Sequence, residues 1–90
     1  MGVTLRLVRH GETDWSAERR YTGRTDVTLN KTGISQAKAL TVISSDRYDS
    51  IWCSSLTRCV ETARLMGVKA DPTPHLQEFD FGKIEGLTWD

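Results

Sequence analysis

Along this chain the apolar positions first alternate and then stride by three. In Val3-Thr4-Leu5-Arg6-Leu7-Val8, the residues Val3, Leu5 and Leu7 fall on every second position and Val8 closes the run. That pattern predicts a β-strand stopping at Arg9-His10-Gly11. Over residues 31–44 the residues Ile34, Ala37, Leu40 and Ile43 form a broad helical stripe, with Asn30 in place as the cap. Ile51-Trp52-Cys53 reads as a short buried strand running into Ser54-Ser55. Leu56, Cys59, Val60, Ala63 and Met66 then mark one face of a second helix over 56–66, capped by Ser55 and stopped by Gly67. Asp71-Pro72-Thr73-Pro74 predicts a rigid connector and His75-Leu76 a short extended segment. Residues 77–86 read as a loop with Phe79, Phe81, Gly82 and Gly86. Residues 11–29 are polar and without period. A loop of that length in a compact domain is usually functional or disordered, and Trp15, Tyr21 and Val27 argue against disorder.

The order strand, loop, helix, strand, helix, strand predicts an α/β class with parallel pairing. Sites in open α/β sheets collect at the C-terminal ends of strands. His10 and the run Ser54-Ser55-Leu56-Thr57-Arg58 occupy two such ends. A neutral imidazole beside a guanidinium suits attack on a phosphoryl group, because the ring offers a lone pair while the arginine fork holds phosphate oxygens. Arg58, in the first turn of its helix, would add charge to backbone N–H groups that already favour an anion. The competing reading of Arg58 is a solvated side chain paired with Glu61 at i+3.

Composition narrows the choice of partner. The 90 residues carry 12 basic and 12 acidic side chains, which gives no reason to expect nucleic acid or a membrane surface. Residues 1–45 hold seven Lys/Arg against four Asp/Glu, so the positive excess lies in the half with Arg9. No apolar run nears membrane-spanning length, and Met1-Gly2-Val3-Thr4 has no signal-peptide pattern. Cys53 and Cys59 do not form a disulfide framework. These features predict a reduced, cytoplasmic protein; association with further copies of itself stays open. Two cysteines and two scattered histidines supply no zinc site. Cys53 and Arg58 are separated by four residues without glycine, whereas the phosphate loop of cysteine phosphatases needs five.

Four patches, taken in order, resemble the histidine phosphatase superfamily, which includes the phosphoglycerate mutases. Leu7-Val8-Arg9-His10-Gly11-Glu12-Thr13 is similar to its nucleophile motif. Tyr21-Thr22-Gly23-Arg24-Thr25-Asp26-Val27-Thr28-Leu29-Asn30, with Gly33 and Ala37, is similar to its substrate loop and following helix. Cys53-Ser54-Ser55-Leu56-Thr57-Arg58, with Glu61-Thr62-Ala63, resembles its second arginine motif. Glu78-Phe79-Asp80-Phe81-Gly82-Lys83-Ile84-Glu85-Gly86 resembles its acid motif.

The resemblance implies a three-layer α/β/α sandwich of the phosphoglycerate mutase-like type. Residues 1–90 would form the N-terminal part of one such domain, cut off after the acid motif. His10 would be the nucleophile, Arg9 and Arg58 the phosphoryl clamp, and Glu78 the proton donor to the leaving group, with Asp80 and Glu85 as rival acids. Thr22 and Gly23 match substrate-touching positions. Ser16 stands where mutases usually carry Asn, and its hydroxyl can still donate to phosphate. The family needs no metal. Its second histidine, in a downstream His-Gly motif, has no counterpart here; His75 precedes the acid motif and reads as a loop residue. The implied activity is phosphomonoester hydrolysis through a phosphohistidine on a small phosphorylated metabolite. The alternatives are mutase-type transfer and an inactive phosphate-binding fragment. Phe-Gly-x-x-Glu-Gly, as in Phe81 to Gly86, favours hydrolysis over mutase transfer.

Overall fold

The computed structural model describes residues 5–44, 47–76 and 82–88. The predicted loop after His10 contains a short helix, α1 (Asp14–Ala17). Thr13 caps it by accepting from the Ser16 N–H, while the Ser16 hydroxyl accepts from the Thr13 N–H, so two otherwise orphaned donors satisfy one another.

The helix predicted over 31–44 divides into α2 (Lys31–Ala39) and α3 (Thr41–Ser44), with Leu40 ending the first. Three successive β-branched residues, Thr41-Val42-Ile43, begin at that break, where crowding against the preceding turn weakens a helix. Asn30 caps α2 as predicted, its Oδ1 accepting from the Gly33 N–H at 2.8 Å.

β1 (Trp52–Ser54) leads into α4 (Thr57–Leu65), and α4 leads into β2 (Asp71–Thr73). The two strands pair in parallel, Trp52 opposite Asp71 and Ser54 opposite Thr73, making a β-α-β unit. β2 therefore lies on the segment read as a rigid connector. Pro72 is tolerated because a strand of a two-stranded sheet need not donate from every N–H. His75 is not extended; Pro74–Leu76 forms a 3₁₀ turn, as does Gly82–Ile84. The cap of α4 also differs from the expected Ser55. Leu56 takes the N-cap position without a side-chain bond, and Asp26, distant in sequence, supplies the acceptor. At the other end Gly67, at φ +85°, closes α4: its N–H donates to Arg64 O, and that of Val68 to Ala63 O.

The strand predicted over Val3–Val8 is not formed by residues 5–8; Val3 and Thr4 lie outside the described residues. Leu5 and Leu7 are 76% and 84% exposed. Alternation only prepares a strand, and among the described residues no strand pairs with this one. The segment is held by its polar positions instead, with Arg6 donating to the Tyr48 hydroxyl at 2.7 Å.

α2 packs on α4, and α4 on β1. Among the described residues the buried apolar side chains are Ala37 and Met66, while Thr13, Ser54, Arg58 and Thr62 are buried polar ones. The centre of the molecule is thus a polar network, and the predicted site residues belong to it.

Candidate active site

The His10 segment is brought to α2 by two glycines. A Cβ on Gly11 would stand 2.5 Å from Gly33 O, and one on Gly33 only 2.0 Å from Glu12 O. Backbone meets backbone here, so any side chain would hold the segments apart. Hydrogen bonds fix the register: Asn30 N donates to Glu12 O at 3.0 Å and Glu12 N to Gln36 Oε1 at 2.9 Å. The same segment is tied to α4. Gly11 N donates to Thr62 Oγ1 at 3.0 Å, and the Thr62 hydroxyl donates to Arg58 O at 2.7 Å. The peptide that follows His10 is therefore one hydrogen-bonded side chain away from the turn that carries Arg58.

His10 is half-buried. Its Nδ1 lies 2.7 Å from Gly11 O. A carbonyl oxygen can only accept, so this bond assigns the ring proton to Nδ1 and leaves the lone pair on Nε2. Arg9, His10, Ser16 and Thr22 line one groove of about 1350 Å³. The hydroxyls of Ser16 and Thr22 already donate within the backbone, to Thr13 O and Arg20 O, each at 3.0 Å.

Arg58 is fully buried. Its Nη1 donates to Thr25 O at 2.9 Å and its Nη2 to Gly23 O at 2.6 Å, so the predicted substrate loop wraps the guanidinium. Its Nε–H is buried without a hydrogen-bond partner among the described residues. Glu61 bonds Arg64 at 2.8 Å, which leaves the solvated Arg58–Glu61 pairing without support. The N–H of Gly23 faces Glu85 rather than the groove, at 3.3 Å.

Asp26 caps α4 from outside, accepting from Thr57 N and the Thr57 hydroxyl, both at 2.7 Å. The Thr57 hydroxyl and then its backbone N–H hold the Asp26 carboxyl below its ordinary range, against the opposing effect of burial and with a lesser contribution from the charge of Arg58. Cys53 behaves oppositely. Burial and then the Asp71 carboxylate push its thiol up, the reverse of what a cysteine nucleophile requires. Both cysteines are free.

Glu78, Phe79, Asp80 and Phe81 lie outside the described residues. Among the described residues no group of histidine, cysteine and carboxylate side chains could hold a metal, and no helix is long and apolar enough to cross a membrane. Sequence reasoning missed Asp26, Thr62 and a holding role for Glu85. Each acts on a segment at least 31 residues away, beyond the reach of local periodicity.

The chain is 42% identical to an acid phosphatase of Mycobacterium tuberculosis, over 98% of this chain and 47% of that protein. It is 36% identical to a 2,3-bisphosphoglycerate-dependent phosphoglycerate mutase of Xanthobacter autotrophicus, over 96% of this chain and 46% of that one. The crystal structure of a phosphoglycerate mutase from Thermus thermophilus superposes with a TM-score of 0.82 at 38% identity, covering 90% of this chain and 46% of that chain. The chain thus spans about half the length of the curated relatives it matches. With residues 5–90 matching the histidine phosphatase superfamily (branch 1), and with a β-α-β unit that superposes on a mutase fold, this α/β chain belongs to that superfamily.

Proposed function

We propose that the protein hydrolyses phosphomonoesters of a small metabolite through a phosphohistidine at His10. The observation that carries this reading is the Nδ1–Gly11 O bond, which leaves Nε2 as the nucleophilic atom at a groove shared with Arg9. Nε2 attacks phosphorus, a new N–P bond forms and the ester P–O bond breaks. Charge on the equatorial oxygens is balanced by Arg9 at the groove and by Arg58, whose buried Nε–H has no hydrogen-bond partner among the described residues. The departing alkoxide takes a proton from Glu78. Water then gives a proton back to the Glu78 carboxylate and attacks phosphorus, and the N–P bond breaks, releasing phosphate and restoring the imidazole. Ser16 and Thr22 line the groove, and each would have to turn its hydroxyl from the backbone carbonyl it now bonds to donate to phosphate; Gly23 contributes through the carbonyl that holds Nη2. The acid phosphatase relative supports hydrolysis. The mutase relative supports a second outcome, in which a substrate hydroxyl rather than water receives the phosphoryl group.

The test is labelling of the protein as encoded with a ³²P-phosphomonoester. The adduct is expected to be acid-labile and base-stable and to be absent from His10→Ala. Label that persists in His10→Ala would place the nucleophile elsewhere. Release of inorganic phosphate, rather than transfer to a second hydroxyl, separates hydrolase from mutase. Glu78→Gln should slow alkyl phosphates far more than aryl phosphates, since only a poor leaving group needs the proton; equal slowing would remove Glu78 from that role.

A further inference from the structure

Glu85 stands in the acid motif, yet its carboxylate is turned to the substrate loop. Three donors converge on one oxygen, Oε1: Gly23 N at 3.3 Å, Thr25 N at 2.9 Å and the Thr25 hydroxyl at 2.6 Å. The same two residues offer their carbonyls to Arg58, Gly23 O to Nη2 and Thr25 O to Nη1. Residues 23–25 are therefore held between an anion that collects their N–H groups and a cation that collects their C=O groups. The segment bearing Glu85 is itself fastened to the chain before the loop. Tyr21 N donates to Leu87 O at 2.9 Å and Gly86 N to Tyr21 O at 3.0 Å. Arg20 donates to Gly86 O, and Arg20 bridges Thr88. A Cβ on Gly86 would come within 3.1 Å of the Trp15 ring, so this backbone sits directly against the indole.

We infer that Glu85 is a positioning residue, which sets the Gly23 and Thr25 carbonyls so that they hold the Arg58 guanidinium in its phosphate-binding orientation. The physical case is one of alternatives. Among the described residues no carboxylate bonds the buried Arg58 guanidinium, so it relies on carbonyl dipoles, and carbonyls orient it only while their own loop is fixed. Residues 23–25 lie in no helix or strand to fix them. The Glu85 carboxylate does so with charge-assisted hydrogen bonds, about twice as strong as neutral ones.

The inference rests on the phosphatase reading for its kinetic consequence but not for its structural one, and the experiment keeps the two apart. Glu85→Ala and Glu85→Gln are made in the protein as encoded. Gln keeps an Oε1 acceptor and loses only the charge and the acid. In Glu85→Ala the Gly23 and Thr25 amides should exchange with solvent at least about 10-fold faster, while the Gly11 amide, held by Thr62, keeps its protection. The Nη protons of Arg58, slowed by two carbonyls, should begin to rotate freely in NMR spectra. Turnover of p-nitrophenyl phosphate should fall up to about 10²-fold in kcat/KM, as for a misplaced catalytic group, with the acid limb of the pH profile unmoved. Glu85→Gln should retain loop protection and remain within about 5-fold in kcat/KM, since it keeps the acceptor. Gln as damaging as Ala, with the Gly23 and Thr25 amides undisturbed, would make Glu85 a proton carrier and overturn the inference. Unchanged amide protection in Glu85→Ala would overturn it as well. A wild-type protein that hydrolyses no phosphomonoester would refute the proposed function alone; the exchange and Arg58 signals would still decide what Glu85 holds.

Discussion

Substituting alanine for Gly33 sets two physical effects against one another, and their magnitudes decide the sign. Gly33 lies in the first turn of α2. By helix propensity alone, Gly→Ala gains up to about 1 kcal/mol. The added Cβ, however, would stand 2.0 Å from Glu12 O and 2.7 Å from Glu12 N. Relief to ordinary contact requires a backbone displacement of more than about 1 Å. The atoms in the way belong to a main chain held on both sides, by Asn30 N to Glu12 O and by Glu12 N to Gln36. Overpacking of this kind costs about 1–3 kcal/mol, and loss of the Asn30–Glu12 hydrogen bond adds about 1 kcal/mol. Clash therefore exceeds propensity, and Gly33→Ala should destabilise by about 1–3 kcal/mol.

Function should fall further than stability. Glu12 is two residues from His10, and a displacement of about 1 Å at a reacting group costs up to about 10²-fold in rate. Urea unfolding at constant m reads the first effect, and phosphomonoester turnover at substrate saturation reads the second. Ser35→Ala, exposed on the same helix, isolates propensity and should gain about 0.5 kcal/mol or less. If Gly33→Ala matches Ser35→Ala in stability and keeps wild-type turnover, the Gly33–Glu12 approach does not position His10, and the backbone-to-backbone account is wrong.

Two further outcomes follow from the same geometry. Asp26→Asn keeps one amide oxygen as acceptor for α4 and loses the charge and the second acceptor, so it should destabilise by less than the ~0.5–2 kcal/mol of a full cap loss, the more so because the side chain is exposed. Because the folded state lowers the Asp26 pKa from 3.8, its contribution is complete above that pH and is lost as pH falls through the folded value; the gap between wild type and variant should therefore shrink as pH falls from 3.8, and a gap that does not shrink at all as the pH is taken further into acid would point to packing rather than charge. The purified 90-residue polypeptide, with Leu5, Leu7 and Trp52 at 76%, 84% and 66% exposure, should bind a hydrophobic dye and unfold over a broad range; a sharp monomeric transition without dye binding would contradict this.

Elements whose causes are local were legible in the sequence. Asn30 caps α2 because the N–H it accepts from lies three residues away, Gly67 stops α4 because only the next turn is involved, and Trp52-Cys53 forms a strand where the apolar run stands, although Trp52 is 66% exposed rather than buried as the run predicts. The errors fall where a distant partner decides. Ser55 has a capping side chain, but α4 starts one residue later than that cap requires and Asp26 accepts from its Thr57 N–H once the loop folds back. Asp71-Pro72-Thr73 has the composition of a connector and becomes a strand because β1 offers it an edge. Leu5 and Leu7 have strand periodicity without such an edge among the described residues. Arg58 was recognisable as a cation at a strand end, but not the carbonyls that hold it, because a backbone carbonyl has no signature in sequence.

The site's polar partners have a consequence for how its geometry is maintained. Hydrophobic burial is non-directional and could fix the distance between segments without fixing their register. Here the buried side chains nearest the candidate chemistry are Thr13, Thr62 and Arg58, and each bonds to backbone at a specific atom. Thr62 joins the peptide after His10 to the carbonyl of Arg58, Arg58 joins α4 to the 23–25 loop, and Glu85 joins that loop to the acid motif. The four sequence patches are thus successive links of one hydrogen-bonded chain. A half-satisfied network of this kind is worse than an apolar core, because each unpaired buried group costs about 1–3 kcal/mol. The links therefore hold or fail together, and substitutions along the chain at Thr62, Arg58 and Glu85 should be coupled rather than additive.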